Sequence, residues 1–418
     1  MVEPVEVKIT VKKDPAKPYV GLESMPSRGA HLLGWEPASS SISTNSVFSR
    51  GDVLFGKLRP NLRKCVTAPF DGYCSTDILV LRAKDGVDSG FAGKVFQTEQ
   101  VGSAAERTAI GTKMPRTSWR HLKEVSVFCP ELKEQKLTAQ ILDTLDTAIR
   151  ETEALVDKLK AVKQGLLHDL LTRGIDANGQ LRPPQSEAPQ LYKASPLGWI
   201  PREWGLRPLG HILSEPTKNG LYKPSQFHGR GPLMVQMGGL FAGETASFDT
   251  ATRVQVTPSE LNTFGLSEGD LLFARRSLVF EGAGQCVIVR HLSEPATFES
   301  SIVRVRVRQD EAHPEFVCQF LRGHRSYAQR RTLIRQVAVS GVSGSDIREL
   351  LIALPSLEEQ DWIVGRQLEV QTRIDLEMAS AAKLRSQKAG LMDDLLTGRV
   401  RVTPLLESVQ QPAAQTGA

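Results

Sequence analysis

Nowhere in the 418 residues does an apolar run approach the ~18 residues that a bilayer-crossing helix needs. The N-terminus lacks the charged-then-apolar pattern of a secretory signal, so the chain reads as cytoplasmic. Cysteine is scarce and scattered: Cys65, Cys74, Cys129, Cys286 and Cys318 are odd in number and contain no CxxC pair. That spacing excludes a disulfide framework and a short-spaced zinc site, and leaves buried or free thiols. The eight histidines form no HxxxH or HExxH pair. There is no GxxxxGK[ST] phosphate loop, since Gly90-Phe91-Ala92-Gly93-Lys94-Val95 misses both the spacing and the closing hydroxyl. No Asn-Pro-Pro-aromatic tetrapeptide is present to grip an extruded base. Glu134-Gln135-Lys136 has the E-x-K spacing of nucleases but no upstream Pro-Asp, and it reads as the start of a helix. Ser300, Ser301, Ser340, Ser343 and Ser345 lack a nucleophile-elbow context and read as turn residues. Nothing here argues for catalysis, a metal or a cofactor.

What is present is a long chain, enough for two to three domains, with 40% apolar and 24% charged residues, as in soluble globular proteins. The net charge of +5 is compatible with a nucleic-acid partner, but the placement of the bases matters more than their sum.

The organisation is a duplication. Residues 130–172 match residues 355–397 at a constant offset of 225 without a gap, with 16 of 43 pairs identical. The matched pairs run from Pro130/Pro355 and Gln135/Gln360 to the shared Asp-Leu-Leu-Thr endings at 169–172 and 394–397. Each copy opens with proline and an acidic first turn, and no further proline interrupts it, so each predicts one long helix. Leu142, Leu145, Ile149, Val156, Leu159 and Leu166 step by threes and fours, as do Val370, Ile374, Leu384 and Leu391 in the second copy. A helix of about 40 residues is about 60 Å long and needs a partner of equal length. The other copy is the expected partner, in an antiparallel coiled coil; packing of each seam on its own domain, or homodimerisation, is the alternative. Alternating runs such as Ile302-Val303-Arg304-Val305-Arg306-Val307 predict strands in the intervening segments, and Gly51-Asp52-Val53-Leu54-Phe55 echoes Gly269-Asp270-Leu271-Leu272-Phe273. The expected plan is an α+β chain: globule 1–129, helix 130–173, a linker or exposed loop 174–195, globule 196–354, helix 355–400, and a flexible tail 401–418.

These motifs resemble the specificity subunits of type I restriction–modification enzymes. Four segments carry the resemblance: Gly51 to Lys64 continuing to Cys74-Ser75-Thr76-Asp77; Gly111 to Trp119; Pro196-Leu197-Gly198-Trp199-Ile200-Pro201-Arg202-Glu203-Trp204; and the paired helix openings with their matched ends. The resemblance covers about residues 20–400. It implies two mixed α/β target-recognition domains, related by a pseudo-two-fold, each reading half of a bipartite asymmetric site in double-stranded DNA. It also implies that the helices act as a spacer and as a docking surface for two adenine-N6 methyltransferase (modification) subunits, with an ATP-dependent restriction subunit as a further partner. S-adenosylmethionine would be used by the modification subunits, and the specificity subunit itself does no chemistry and needs no cofactor. The segment 196–204 has no counterpart before the first globule; in the family's circular arrangement the other end of the chain would complete it, and a shortened start of the first recognition domain is the alternative.

DNA affinity comes from Lys and Arg meeting phosphates, and specificity from side chains reaching base edges. Lys57, Arg59, Arg63 and Lys64 cluster without a local acid, as do Lys113, Arg116 and Arg120. Arg322, Arg325, Arg330 and Arg331 form a third cluster, with Arg335 beside it; Lys218, Lys223 and Arg230 form a fourth, and Arg275 and Arg276 follow the second GD-aliphatic-aromatic run. Ordinary solvated cations are the alternative at each position. Two other readings stay open: a coiled-coil scaffold whose heads bind protein or peptide, and a detached DNA-reading half of a fused restriction–methylation enzyme.

Overall fold

The computed structural model describes residues 1–10, 14, 16–41, 43–277, 282–333 and 340–404. Its helices, in chain order, are α1 (Ser89–Phe96), α2 (Glu99–Arg107), α3 (Trp119–Leu122), α4 (Leu132–Thr172), α5 (Met237–Leu240), α6 (Pro258–Phe264), α7 (Pro314–Arg322), α8 (His324–Leu333), α9 (Gly344–Glu349) and α10 (Leu357–Leu396). The chain divides into two compact units, Met1–Val156 with Leu376–Ala418, and Asp157–Asp375. The long helices α4 and α10 therefore each contribute to both.

Each unit is built on the same four-stranded antiparallel sheet. In the first unit the order is Val2–Pro4, Ile78–Ala83, Val53–Gly56, Cys65–Thr67. In the second it is Lys218–Asn219, Ile302–Val305, Leu271–Ala274, Cys286–Ile288. The predicted GD motifs lead into the matching central strands, and the structure shows why the two residues recur. Gly51 and Gly269 hold φ of +91° and +85°, a left-handed turn open to glycine without steric cost. The buried Asp52 carboxylate accepts from the Ser49 N–H and pairs with Arg82, both at 2.8 Å. Asp270 repeats this with the Ser267 N–H at 2.8 Å and Arg306 at 2.6 Å. A second sheet in the first unit runs Lys8–Ile9, Asn45–Phe48, Gly72–Ser75, Pro18–Val20, Glu36–Pro37.

The long helices pair antiparallel inside each unit. In the first, Asp146 meets Lys388 at 2.5 Å, and two turns further along α4 Glu153 meets Arg385, three residues back along α10. In the second, Lys163 donates to Gln371 at 2.7 Å, while beyond the end of α4 the Ile175 N–H reaches Glu359 near the start of α10. Every predicted seam residue is buried or half-buried: Leu142, Leu145, Ile149, Val156, Leu384 and Leu391 in the first unit, Leu159, Leu166, Val370 and Ile374 in the second. Leu142 packs with Leu396 among Val53, Phe55, Leu81 and Phe91. Leu170 and Ile363 pack among Trp204, Phe273, Phe316 and Phe320.

The helix openings are structural fittings. The Gln135 side chain accepts from the Asp88 N–H at 2.9 Å and donates to the Pro130 carbonyl at 2.8 Å. Gln360 does the same with the His313 N–H at 2.8 Å and the Pro355 carbonyl at 3.0 Å, 225 residues later at every position. Glu134 is held by Arg401, at 2.8 and 2.5 Å to its two oxygens, and the guanidinium keeps this carboxyl below its ordinary range. It is a buried ion-pair partner in the first turn of α4.

Two expectations need correction. Residues 174–195 are not an exposed linker: Ile175, Arg182, Ala188 and Tyr192 are buried, and Tyr192–Lys193 pairs with Ile200–Pro201 as a ribbon. Arg182 explains the order, because its guanidinium forms a bidentate pair with Glu359 at 2.5 and 3.0 Å, and Glu359 also accepts from the Trp204 indole at 3.1 Å. Nor do residues 401–404 belong to a tail. Arg401 and the buried Val402 pack at Glu134 in the first unit, the place that the 174–204 segment takes at Glu359 in the second. Residues 405–418 lie outside the described residues.

Candidate nucleic-acid interface

Two predicted clusters of the first unit form one surface. Residue 116 bridges both Leu58 and Ile110, and the Arg59 N–H donates to the Pro115 carbonyl at 2.8 Å, so the loop after Val53–Gly56 lies against the loop 110–116. Arg59 is exposed in a left-handed conformation, φ 50°, and its guanidinium has no partner among the described residues. Lys113 and Arg120 are likewise exposed and have no acidic partner among the described residues. Exposed Ile110 and Met114 flank Lys113, giving the loop an apolar tip among cations. Arg116 is exposed but forms a bidentate pair with Asp77, at 2.8 and 3.1 Å, which holds that carboxyl below its usual range. Half-buried Lys57 sits behind this pair, and burial pulls its ammonium below the usual lysine value despite Asp77 nearby.

The second unit reproduces the corner. The Lys57 N–H donates to the Asp77 carbonyl at 2.8 Å, and the Lys57 carbonyl accepts from Thr117 at 3.1 Å. The Arg275 N–H donates to the Ser301 carbonyl at 2.9 Å, and the Arg275 carbonyl accepts from Val342 at 3.0 Å. Lys57 and Arg275 are therefore equivalent, as the GD echo suggests. Arg276 follows, exposed, in a two-residue strand against Ser340–Gly341. Arg230 and Tyr222 are exposed and Lys218 is half-buried, whereas Lys223 pairs with Glu260 at 2.7 Å.

Several predicted contacts are corrected by burial. Arg63 is wedged between Glu99 and Glu106, at 2.8 and 2.6 Å, with its side chain only 10% exposed, and Lys64 donates to the Leu22 carbonyl at 2.6 Å. In the third cluster Arg322, Arg325 and Arg330 donate inward to the carbonyls of Cys286, Trp199 and Gly284, at 2.8, 2.6 and 2.8 Å. Burial lowers the pKa of Arg325 and Arg330. These side chains cannot reach a phosphate without dismantling the packing around them. Of that cluster Arg331 alone among the described members is exposed; Arg335 lies outside the described residues. The acids that neutralise Arg63 and Arg116 are distant in sequence, so a local count of charge could not find them.

Among the described residues no group of His, Cys, Asp or Glu could hold a metal, and no helix is long and apolar enough to cross a membrane. The buried Cys65 and Cys74 thiols are pushed up by burial, Cys74 to about 12.

Comparison with known proteins agrees with this geometry. Residues 43–161 match the type I restriction modification DNA specificity domain. The chain is 23% identical over 300 residues to the type I restriction enzyme MjaVIII specificity subunit of Methanocaldococcus jannaschii, covering 71% of this chain and 67% of that one. It is 25% identical over 374 residues to the EcoKI specificity subunit of Escherichia coli K12, covering 83% and 76%. Among solved structures, the S subunit of a type I restriction–modification system from M. genitalium shares the fold at TM-score 0.55 and 14% identity, covering 95% of this chain and 93% of that one. A chain from a type I system solved for its complex assembly and conformational transition does so at TM-score 0.55 and 17% identity, covering 92% of each. With a duplicated helix framework, two sheets entered by the same buried-Asp turn and matched relatives along most of its length, the chain is similar in sequence and fold to the type I restriction–modification specificity subunits.

Proposed function

We propose that the two recognition domains each read one half of a bipartite, asymmetric DNA site, and that the chain performs no chemistry itself but docks adenine-N6 methyltransferase subunits, with a restriction subunit as a further partner. The observation that carries this reading is the repeated corner at Lys57 and Arg275, each beside exposed cations on its own domain. Arg59, Lys113 and Arg120 in one domain, and Arg230, Arg275 and Arg276 in the other, supply phosphate or guanine contacts. Different exposed side chains on the two domains, Ile110 and Met114 against Tyr222, suit domains that read different half-sites. Apolar side chains left exposed along the helices, such as Leu155 and Leu376 in the first unit, support subunit docking there. The test is mapping of methylated adenines in strains with and without this chain beside its modification subunit. A split motif whose methylation requires the chain is the expected result; methylation unchanged by its loss refutes the proposal. A scaffold with protein-binding heads would instead show no salt-dependent DNA affinity.

A further inference from the structure

The two units differ at one matched place, and the difference leaves a cavity. In the first unit the buried Lys94 ammonium, carried on α1, lies 2.7 Å from Asp143 and 2.5 Å from Asp146, and Lys388 also reaches Asp146 at 2.5 Å. Opposing charges satisfy one another, and Leu142 packs beside them, fully buried. The second unit has the same backbone frame at an offset of 225, since the Gln135–Asp88 fitting recurs as Gln360–His313. The residues at that offset are Gln319 for Lys94, Gln367 for Leu142, Leu368 for Asp143, Gln371 for Asp146, and Lys163 for Lys388. All five line one cavity of about 390 Å³.

Two amides there are unsatisfied. Gln367 is 3% exposed, and neither its oxygen nor its nitrogen has a hydrogen-bond partner among the described residues. The buried Gln319 oxygen is also without one. Unmet buried polar groups are costly and therefore rare, and the counterpart of Gln367 is an ordinary leucine. The remaining lining favours a cation. Lys163 is paired with Glu244 at 2.7 Å and Arg290 with Glu315 at 2.6 Å, which leaves Asp375, engaged by the Gln371 amide at 2.8 Å, as one carboxylate in excess.

We infer that this cavity in the second unit binds the ammonium group of a small alkylamine, in the place that the Lys94 ammonium fills in the first unit. Gln319 and Gln367 are unbranched, and each turns an amide oxygen toward the ammonium while Asp375 balances its charge; the alkyl chain occupies the volume of the missing lysine methylenes. The site is independent of the DNA-reading surface.

The experiment uses the full chain, with buried Trp204 fluorescence reporting unfolding of the second unit. The probes are n-butylammonium chloride, n-butanol and potassium chloride. At about ten times its Kd, butylammonium raises the Tm of this unit by about 3 °C, and the other two leave it unchanged at matched ionic strength. Gln319→Lys, which supplies the ammonium from within, raises the Tm without amine and abolishes the response. Asp375→Asn, at an exposed position compatible with folding, weakens amine affinity by about threefold to tenfold, the range expected for one partly screened charge. An equal shift with butanol or potassium overturns the inference, as does no shift with butylammonium, or an undiminished response in Gln319→Lys or, should that variant not fold, in Asp375→Asn.

Discussion

Glu359→Ala should cost far more than Glu134→Ala, although the two glutamates occupy the same position of the duplicated helix. In the second unit Glu359 is 8% exposed and Arg182 7%, and breaking so buried a pair costs about 3–5 kcal/mol because a buried charge is left with only the solvent-exposed Glu203 carboxylate, at 3.0 Å, as counterion. The Trp204 indole N–H and the Ile175 amide lose the same acceptor, and each orphaned buried donor adds about 1–3 kcal/mol. Relaxation makes these losses less than additive, so a total of about 5 kcal/mol is expected. In the first unit the partner of Glu134 is Arg401, whose side chain is 50% exposed; solvent screens that pair to about 1 kcal/mol, and the one buried donor orphaned, the Val402 N–H, adds about 1 kcal/mol more, for a total of about 2 kcal/mol. The assay is urea unfolding followed by tryptophan fluorescence, in variants that retain Trp204 for the second unit or Trp119 for the first. With m near 2.5 kcal/mol/M, Glu359→Ala moves the midpoint down by about 2 M and Glu134→Ala by about 0.8 M. Equal midpoints for the two alanine variants would show that burial is not what separates these positions.

Arg59→Ala and Arg276→Ala should each weaken DNA binding regardless of sequence if they meet phosphates, and lower the slope of log affinity against log salt by about 1, as read by titration at several salt concentrations. Arg330→Ala should leave that slope unchanged and instead lower the unfolding midpoint, because its guanidinium is committed to the Gly284 carbonyl. Burial alone would raise Asp146, but Lys388 and Lys94 hold it below the ordinary carboxylate value. Its contribution to stability is therefore complete above pH ~4 and lost as pH falls through the lower folded-state value. Lys94 is opposed by burial but raised by Asp143 and Asp146, so its contribution holds below pH ~10.4 and disappears as pH rises through the higher folded-state value. Urea midpoints of the first unit measured against pH should show the acid loss in the native chain and not in Asp146→Asn, whereas the second unit, with Gln371 at that position, should lack it.

The sequence by itself determined the framework of this protein. An ungapped repeat of helical periodicity specifies two long helices and the stripe each must bury, because apolar side chains stepping by threes and fours align only on a helix face, and all ten seam positions are covered. The GD echo likewise located equivalent strands, since a left-handed glycine followed by a buried aspartate is a local turn device readable from adjacent residues. Charge was different. Lys57, Arg59, Arg63 and Lys64 look alike in a string, yet the Arg59 guanidinium has no partner among the described residues while Arg63 is locked between Glu99 and Glu106, some 36 and 43 residues away. The polar stretch 174–195 looked like a linker because its one decisive contact, Arg182 with Glu359, spans 177 residues. Which cations remain available to DNA, and which amides lie unmatched around Gln367, is decided by side chains that only tertiary folding brings within hydrogen-bonding distance. Periodicity is a property of neighbours in sequence; electrostatic pairing is a property of neighbours in space.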